Sequence, residues 1–498
     1  MNSLFRTKSI DALLKASEEP GRRLEKTLGP WSLTALGVGA VIGSGIFILT
    51  GTAAAGEVLS VKSILHAPVL DLLLHGSDAV STIGRPGAGP AISISFILVA
   101  LVCSMAALCY AELASMIPIA GSAYTYAYTT LGEIFAWIIG WDLILEYAVS
   151  NMAVAVGFSA YFNSMLENVF GFQLPRELSE PMIQGGEFSG AWFNLPALLI
   201  LMLLTYILVR GVKESAGANN AMVVIKVAAI LIFVLGAANA VKSDNWTPFM
   251  PNGFSGVLTG AAIVFFTYIG FDSVSTAAEE CKRPQRDLPF GILMTLLICT
   301  VLYVSVAVVL TGIQDWKSLS NAAPVDNALK AIGKDKLRAV VTIGALFGML
   351  SSLLVFQFGQ ARIWFAMSRD RLLPSVFSRV HPVHRTPHVS TWVAGLFVGI
   401  PAGVWDIGTF ADLSNIGTLF AFALVSAGVL VLRRAQPDRP RGFRVPLVPL
   451  IPVLSIVCCF ILMLGLPLET WLRFIVWLAV GLAIYFLFGR KRSALAQT

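Results

Sequence analysis

Charge is scarce in this sequence. Asp, Glu, Lys and Arg make up 13% of its 498 residues, about half the share usual in a soluble domain. That scarcity excludes a string of water-soluble domains. The hydrophobic share of 56% excludes a disordered chain, which needs the opposite balance. Histidine is rarer still, with five residues (His66, His75, His381, His384 and His388), all in expected loops. His381 and His384 have a helical spacing, but Pro382 and Pro387 break any helix there, so no metal site is read from them. The six cysteines (Cys103, Cys109, Cys281, Cys299, Cys458 and Cys459) lie mostly inside apolar runs, with neither zinc spacing nor a disulfide framework. They read as small core residues. No cleavable signal is expected. The first apolar run starts near Trp31, after thirty mixed residues, and is too long for a signal h-region.

What the sequence has in quantity is long apolar runs. A bilayer span needs roughly 20 such residues. Twelve candidates fit: 31–55, 90–114, 133–162, 191–210, 217–240, 254–279, 288–312, 338–366, 389–408, 410–432, 446–466 and 470–489. They are too long, and alternate too little, for barrel strands, so an all-α integral membrane protein with twelve transmembrane helices is expected. With the N-terminus inside, the inner segments hold 24 Lys and Arg and the outer segments 10. That bias places both termini in the cytoplasm. The outer segment 313–338 runs against it, with five basic residues. The net charge of +6 therefore reports orientation, and no nucleic-acid partner is expected. Residues 1–30 form a basic, partly amphipathic stretch (Leu4, Phe5, Ile10, Leu13, Leu14). It reads either as a surface-lying segment or as a solvated cytoplasmic tail. Residues 56–89 form an outer loop too polar to span.

Two runs are interrupted by glycine at their middles. The first reads Gly37-Val-Gly39-Ala-Val-Ile-Gly43-Ser44-Gly45-Ile46-Phe47, the sixth Phe265-Phe266-Thr267-Tyr268-Ile269-Gly270-Phe271-Asp272-Ser273. They stand five spans apart, which suggests two five-span repeats with a site where the broken helices meet. The outer half of the first, starting near Ile46, presents free N–H groups and a positive dipole end. The outer half of the sixth, ending near Thr267, presents carbonyls. Donors beside acceptors suit the carboxylate and ammonium of an α-amino acid. Gly39-x-x-x-Gly43 is equally a helix-packing pattern; the match between the two breaks favours binding. Five ionisable residues lie well inside spans: Asp142, Glu146, Lys226, Asp272 and Arg362. Each needs a partner or a function there. Burial disfavours the charged form of either Lys226 or Glu146, which makes them a proton relay or, alternatively, a static buried ion pair. Arg362 is expected to anchor the inner end of its span, and Asp272 to cap the inner half-helix of span 6. Aromatic Phe265, Phe266, Tyr268 and Phe271 crowd the second break. No nucleophile–base pair, metal cluster or phosphate loop stands out, so an enzyme is not expected.

The motifs Gly37–Phe47, Tyr110-Ala-Glu-Leu-Ala-Ser-Met-Ile-Pro118, Gly121-Ser-Ala-Tyr124, Gly140-Trp-Asp-Leu-Ile-Leu-Glu-Tyr147 and Gly270-Phe-Asp-Ser-Val-Ser-Thr-Ala-Ala-Glu-Glu280 carry a resemblance. Over about residues 20–490 the sequence resembles the cationic amino acid transporter family of the amino acid–polyamine–organocation superfamily, in its twelve-span bacterial form. The resemblance implies a LeuT-type core of five plus five inverted helices with two peripheral ones. The parts would be 1–30 (cytoplasmic), 31–240 (first repeat, with the extracytoplasmic insertion 56–89), 241–434 (second repeat), 435–489 (peripheral helices) and 490–498 (tail). It implies alternating access with substrate held by the backbone of Ile42, Gly43, Ser44, Gly45 and Ile46 and by Phe265, Phe266, Tyr268 and Ile269, with Phe266 as gate. It places Lys226 where sodium-driven relatives bind a second sodium, so protons and not sodium would drive transport, with no other cofactor. Glu146 would line the cavity. The implied function is secondary active amino acid transport by proton symport in the plasma membrane; an exchanger or, less in keeping, a non-transporting sensor shares the motifs. A small single-span accessory subunit is left open. The sequence departs from the family at 56–89, which separates Gly51-Thr-Ala-Ala-Ala-Gly56 from Gly89-Pro90-Ala91 and puts the outer entrance in doubt.

Overall fold

The structure, a computed structural model, describes residues 5–17, 26–58, 63–76, 83–119, 121–210, 216–384 and 386–493. Parts of the N-terminal segment, of the insertion 56–89 and of the tail 490–498 lie outside the described residues. The chain is built of helices: α1 (Ile10–Ser17), α2 (Pro30–Val41), α3 (Ser44–Ala55), α4 (Ile92–Met116), α5 (Ser122–Thr130), α6 (Glu133–Phe170), α7 (Leu195–Arg210), α8 (Ala216–Ala237), α9 (Gly253–Val264), α10 (Pro284–Ile313), α11 (Asp335–Arg369), α12 (His388–Ala402), α13 (Ile407–Ala435), α14 (Leu450–Leu464) and α15 (Leu468–Ile484). Two short antiparallel ribbons join them in the loops, β1 (Gly56–Val58) with β2 (Ile83–Pro86), and β3 (Ile183–Gln184) with β4 (Glu187–Phe188). The fold is therefore helical with two small β additions that the apolar pattern did not signal.

Among the described residues, eight helices are long and apolar enough to cross a bilayer, and α2 with α3, bent by 48° at their break, makes a ninth. Three shorter apolar helices, α7, α12 and α14, occupy the remaining expected spans. Lipid, not water, faces such a bundle, so its exposed surface is as apolar as its core: Leu101, Leu235, Val301 and Val476 are each more than half exposed. Inside, small residues let backbones approach. A Cβ on Gly344 of α11 would lie 2.2 Å from the Ala229 Cβ of α8.

Both described termini lie at one end of the bundle, here termed the terminal end. The Arg6 carbonyl accepts from the Glu133 backbone N–H at 3.0 Å, and Ser493 Oγ donates to the Glu133 carboxylate at 2.6 Å. Lys8 pairs with Asp370 at 2.7 Å and sits over the Tyr128 ring. Ile10 of α1 is buried. Where it is described, the N-terminal stretch is held to the bundle: its short amphipathic helix docks there through Ile10.

The insertion 56–89 also differs from a simple outer loop. Arg85 on β2 is one of the most deeply buried side chains in the protein. Its guanidinium makes paired bonds to Glu57 of β1 (2.8 and 2.6 Å) and to Asp412 of α13 (both 2.9 Å). Burial opposes its charge, but the two carboxylates hold its proton above even the usual arginine range. Thr259 of α9 donates to the Pro86 carbonyl at 2.7 Å. The insertion therefore straps the far ends of α3, α9 and α13 together.

Candidate functional site

The first break begins where helical geometry stops at Val41. Ile42 is extended and Gly43 lies outside every helical region (φ −118°, ψ −143°). The chain re-enters a helix at Ser44, two residues earlier than expected. The first-turn amides of α3, from Ser44 to Ile46, have no intrahelical acceptor. The second break is longer. After Val264 come one 3-10 turn (Phe265–Tyr268), an extended Ile269 and Gly270 at φ 113°; a 3-10 segment then runs over Phe271–Glu280. Asp272 does not cap it. The capping position is Gly270, with no side-chain cap, and Asp272 stands two residues inside the turn.

The two breaks press against each other. A Cβ on Gly45 would lie 2.9 Å from Thr267 Cγ2, 3.1 Å from the Phe266 ring and 3.2 Å from Thr267 Cα. A Cβ on Gly270 would lie 3.2 Å from the Ala40 backbone. The side chains sort by direction. Phe266 lies beside Gly45 and so beside the α3 amides. Phe265 and Phe271 pack on Phe422 of α13. Tyr268 turns away: its hydroxyl donates to the Phe96 carbonyl at 3.0 Å and its ring meets Tyr303. Any contact of Tyr268 with a ligand in the break is therefore through its backbone.

Lys226 reaches the first break from α8. Fully buried, it donates to the carbonyls of Gly39 (2.5 Å) and Ile42 (2.9 Å). These are carbonyls that the end of α2 leaves without helical partners, where a positive charge is favoured. Ser352 Oγ of α11 donates to the same Ile42 carbonyl at 3.0 Å. The Tyr303 hydroxyl of α10 lies 3.1 Å from the Val41 carbonyl and 2.9 Å from the Thr267 carbonyl, so its one proton can serve either break. The ion pair considered between Lys226 and Glu146 is not made. Glu146 instead meets the Thr418 hydroxyl of α13 and lies in electrostatic reach of Asp142 and Asp272. The structure thus separates the two residues expected to work together: Lys226 belongs to the first break and Glu146 to the second. Arg362 is exposed, with its guanidinium 3.8 Å over the Phe358 ring. Among the described residues no group of His, Cys, Asp and Glu is arranged to hold a metal.

Sequence reasoning missed Ser352 and Tyr303. Both are polar residues in the middle of apolar runs, the same signal that picked out Lys226. Arg85 gave no signal, since an arginine in a polar loop is unremarked.

Apolar helices broken in mid-span and meeting at their breaks are the architecture of membrane transport proteins. Comparison with known proteins agrees. Residues 28–486 match the amino acid permease family. The chain is 46% identical over 497 residues to the branched-chain amino acid permease BcaP of Bacillus subtilis (strain 168), covering 99% of both chains. It is 45% identical over 495 residues to the methylthioribose transporter of the same organism, covering 99% of this chain and all of that one. It is 37% identical over 447 residues to the vacuolar cationic amino acid transporter 4 of Arabidopsis thaliana, covering 88% of this chain and 68% of that one. The chain belongs to the amino acid permease family, within the amino acid–polyamine–organocation superfamily. It is a multi-pass membrane transporter and not an enzyme.

Proposed function

We propose that this permease is a secondary active transporter that carries amino acids across the bacterial plasma membrane together with protons. Its core would be the LeuT-type pair of inverted five-helix repeats with two peripheral helices and twelve crossings. Parity supports that number. Nine crossings would leave the termini on opposite sides, whereas they share one end. Adding α7, α12 and α14 makes the number even. Those three have 16, 15 and 15 residues, about 23 Å at the usual helical rise, and would cross with the help of flanking apolar residues or a thinned bilayer. The terminal end would be cytoplasmic.

The observation that carries the coupling is Lys226 on the open carbonyls of α2. Its ammonium fills the oxygen site that a small cation would otherwise take. Charged, it holds α2 to α8; on losing its proton it would release that end of α2. The substrate carboxylate would meet the first-turn amides of α3. Its ammonium would meet carbonyls of the 265–269 turn, with Phe266 closing over both. In proteoliposomes an inward proton gradient should drive accumulation of labelled amino acid in sodium-free buffer. K226M should abolish that accumulation while the protein stays folded. Uptake that strictly requires sodium, or K226M uptake equal to wild type, would reject the coupling. Counterflow with no dependence on protons would show an exchanger. A thermal-shift panel of twenty amino acids would name the side chain, because a ligand stabilises the state it binds.

A further inference from the structure

The strap at Arg85 uses only the two edges of the insertion 56–89. Between them, residues 63–76 are tied to the turn that joins α14 to α15. The Val69 N–H donates to the Leu466 carbonyl and the Leu468 N–H to the Ala67 carbonyl, both at 3.1 Å, and His66 Nδ1 lies 3.1 Å from the Glu469 carboxylate. Because α15 leads toward Ser493 at the terminal end, this turn lies at the opposite end of the bundle. Trp471, in the first turn of α15, donates its indole N–H to the Met463 carbonyl at 2.9 Å. Tryptophan collects where hydrocarbon meets headgroups, so residues 63–76 are attached at the level of the bilayer interface.

A loop bathed in water turns polar groups outward. This segment turns leucines outward: Leu73 is 70% and Leu74 67% exposed, and Ile64 and Leu65 are exposed as well. Leu70 and Leu74 stand one turn apart on the short helix Val69–His75. With Pro68 they face Leu258 of α9 and Ile461 and Leu462 of α14 across a groove of about 180 Å³, far more space than one water needs. The helix adds two polar groups to the groove, Asp71 and His75, also one turn apart. An apolar patch of this kind marks a contact surface. Continuity decides what covers it. Ile461 belongs both to the groove and to the exposed apolar side of α14, with Val457 and Phe460, and Leu472, Ile475 and Val476 extend that surface along α15. Those side chains face hydrocarbon, and the exposed leucines of 63–76 prolong the same surface to the interface. An apolar face beside a polar edge is also what a helix lying in the membrane plane requires.

We infer that residues 63–76 form a membrane-docking element seated in the leaflet at that end, the outer one in the proposed orientation. Leu73 and Leu74 lie in the hydrocarbon, a lipid acyl chain enters the groove beside α9 and α14, and Asp71 and His75 stay at headgroup level. The insertion then has two attachments, one to α13 through Arg85 and one to lipid through its leucines. This role does not depend on the coupling ion or on the substrate.

Fluorescence quenching in vesicles of phosphatidylethanolamine and phosphatidylglycerol tests it on the full-length protein. Leu73→Cys and Leu74→Cys are labelled with bimane, with Leu65→Cys in reserve if either does not fold; wild type, whose cysteines are buried or half-buried, gives the background. Lipids that carry a nitroxide near the top of the acyl chain should quench both labels as strongly as a label at Val476→Cys on α15. Iodide in the water should quench them far less than a label at Glu187→Cys in the β3–β4 ribbon. Strong quenching by iodide and none by the nitroxide lipid would put the segment in water and overturn the inference. Resistance to both quenchers would overturn it too, because protein would then cover the patch, and cross-linking of Leu73→Cys between two chains would identify a second copy as the cover. Nitroxide quenching at Leu73→Cys alone would overturn the seating of an acyl chain in the groove.

Discussion

At the scale of single residues, the two breaks depend on glycines that hold no space for a Cβ. Gly270 has φ 113° and faces the Ala40 backbone at 3.2 Å from a built Cβ. An alanine there combines a backbone conformation costing about 1–3 kcal/mol with a contact against main chain that cannot swing aside. Gly45 has ordinary helical geometry but meets Thr267 Cγ2 at 2.9 Å, an overpacking cost of about 1–3 kcal/mol. Both G270A and G45A should therefore lower the melting temperature of the purified protein, and G45A, which pushes directly on Phe266, should lose uptake out of proportion to its stability. Equal melting and equal uptake in both would show that the breaks do not meet as described. The glycines were legible from the sequence, because two glycine-bearing interruptions stand in corresponding spans five apart. So were Lys226 and Glu146, because ionised groups in lipid are costly. Their partners were not legible. A sequence fixes the depth of a residue along its helix, whereas the reach of Lys226 to Gly39 and Ile42 depends on how α8 is rotated against α2, which packing alone decides.

At the scale of elements, apolar length located the helices and could not see the strap. Each expected span is helical over most of its length, since hydrocarbon leaves the backbone no other way to satisfy its polar groups. The stretch after Gly270 departed from an α-helix where Ser275 and Thr276 compete for backbone acceptors: Ser275 donates to the Asp272 carbonyl and Thr276 to the Ser273 carbonyl, both at 2.6 Å. The insertion read as solvated because its composition is polar, yet Arg85 carries its charge into the packed interior. Removing that guanidinium leaves Asp412 and Glu57 facing each other with no cation, and breaking a buried pair from one side costs about 3–5 kcal/mol. Glu57 is about a quarter exposed, which puts the expectation at the lower end, about 3 kcal/mol. R85M should therefore melt well below wild type, and adding D412N to R85M should restore part of the loss by removing the stranded charge. If R85M melts with wild type, the strap contributes nothing to holding α3 and α13 together.

At the scale of the whole molecule, the balance of basic residues and the position of the termini bear on one question, which side is which. The segment 313–338 weakens the charge bias, and the structure gives the physical reason that it can do so. Lys330 and Arg338 both pair with Glu167, at 2.7 and 2.8 Å, Arg338 also pairs with Asp326, and Lys334 donates to the Gly236 carbonyl. Lys330 and Arg338 are paired with carboxylates and Lys334 is held by the fold, so they carry little weight as free cations at a membrane surface. Discounting them sharpens the excess at the terminal end, where Arg379, Arg434 and Lys491 stay exposed. The positive-inside tendency then supports the proposed placement of the terminal end in the cytoplasm, with the ends joined by Arg85 outside. Five of the six native cysteines are buried and the sixth, Cys458, is half-buried, so a single introduced cysteine can be read against a low background. Lys317→Cys and Glu187→Cys should react with a membrane-impermeant maleimide in intact cells. Arg379→Cys and Gln436→Cys should react only after the membrane is opened. The reverse pattern would invert the topology. A mixed pattern, with Glu187→Cys on the same side as Arg379→Cys, would show that α7 does not cross, and the even count of crossings would then have to come from a different set of helices.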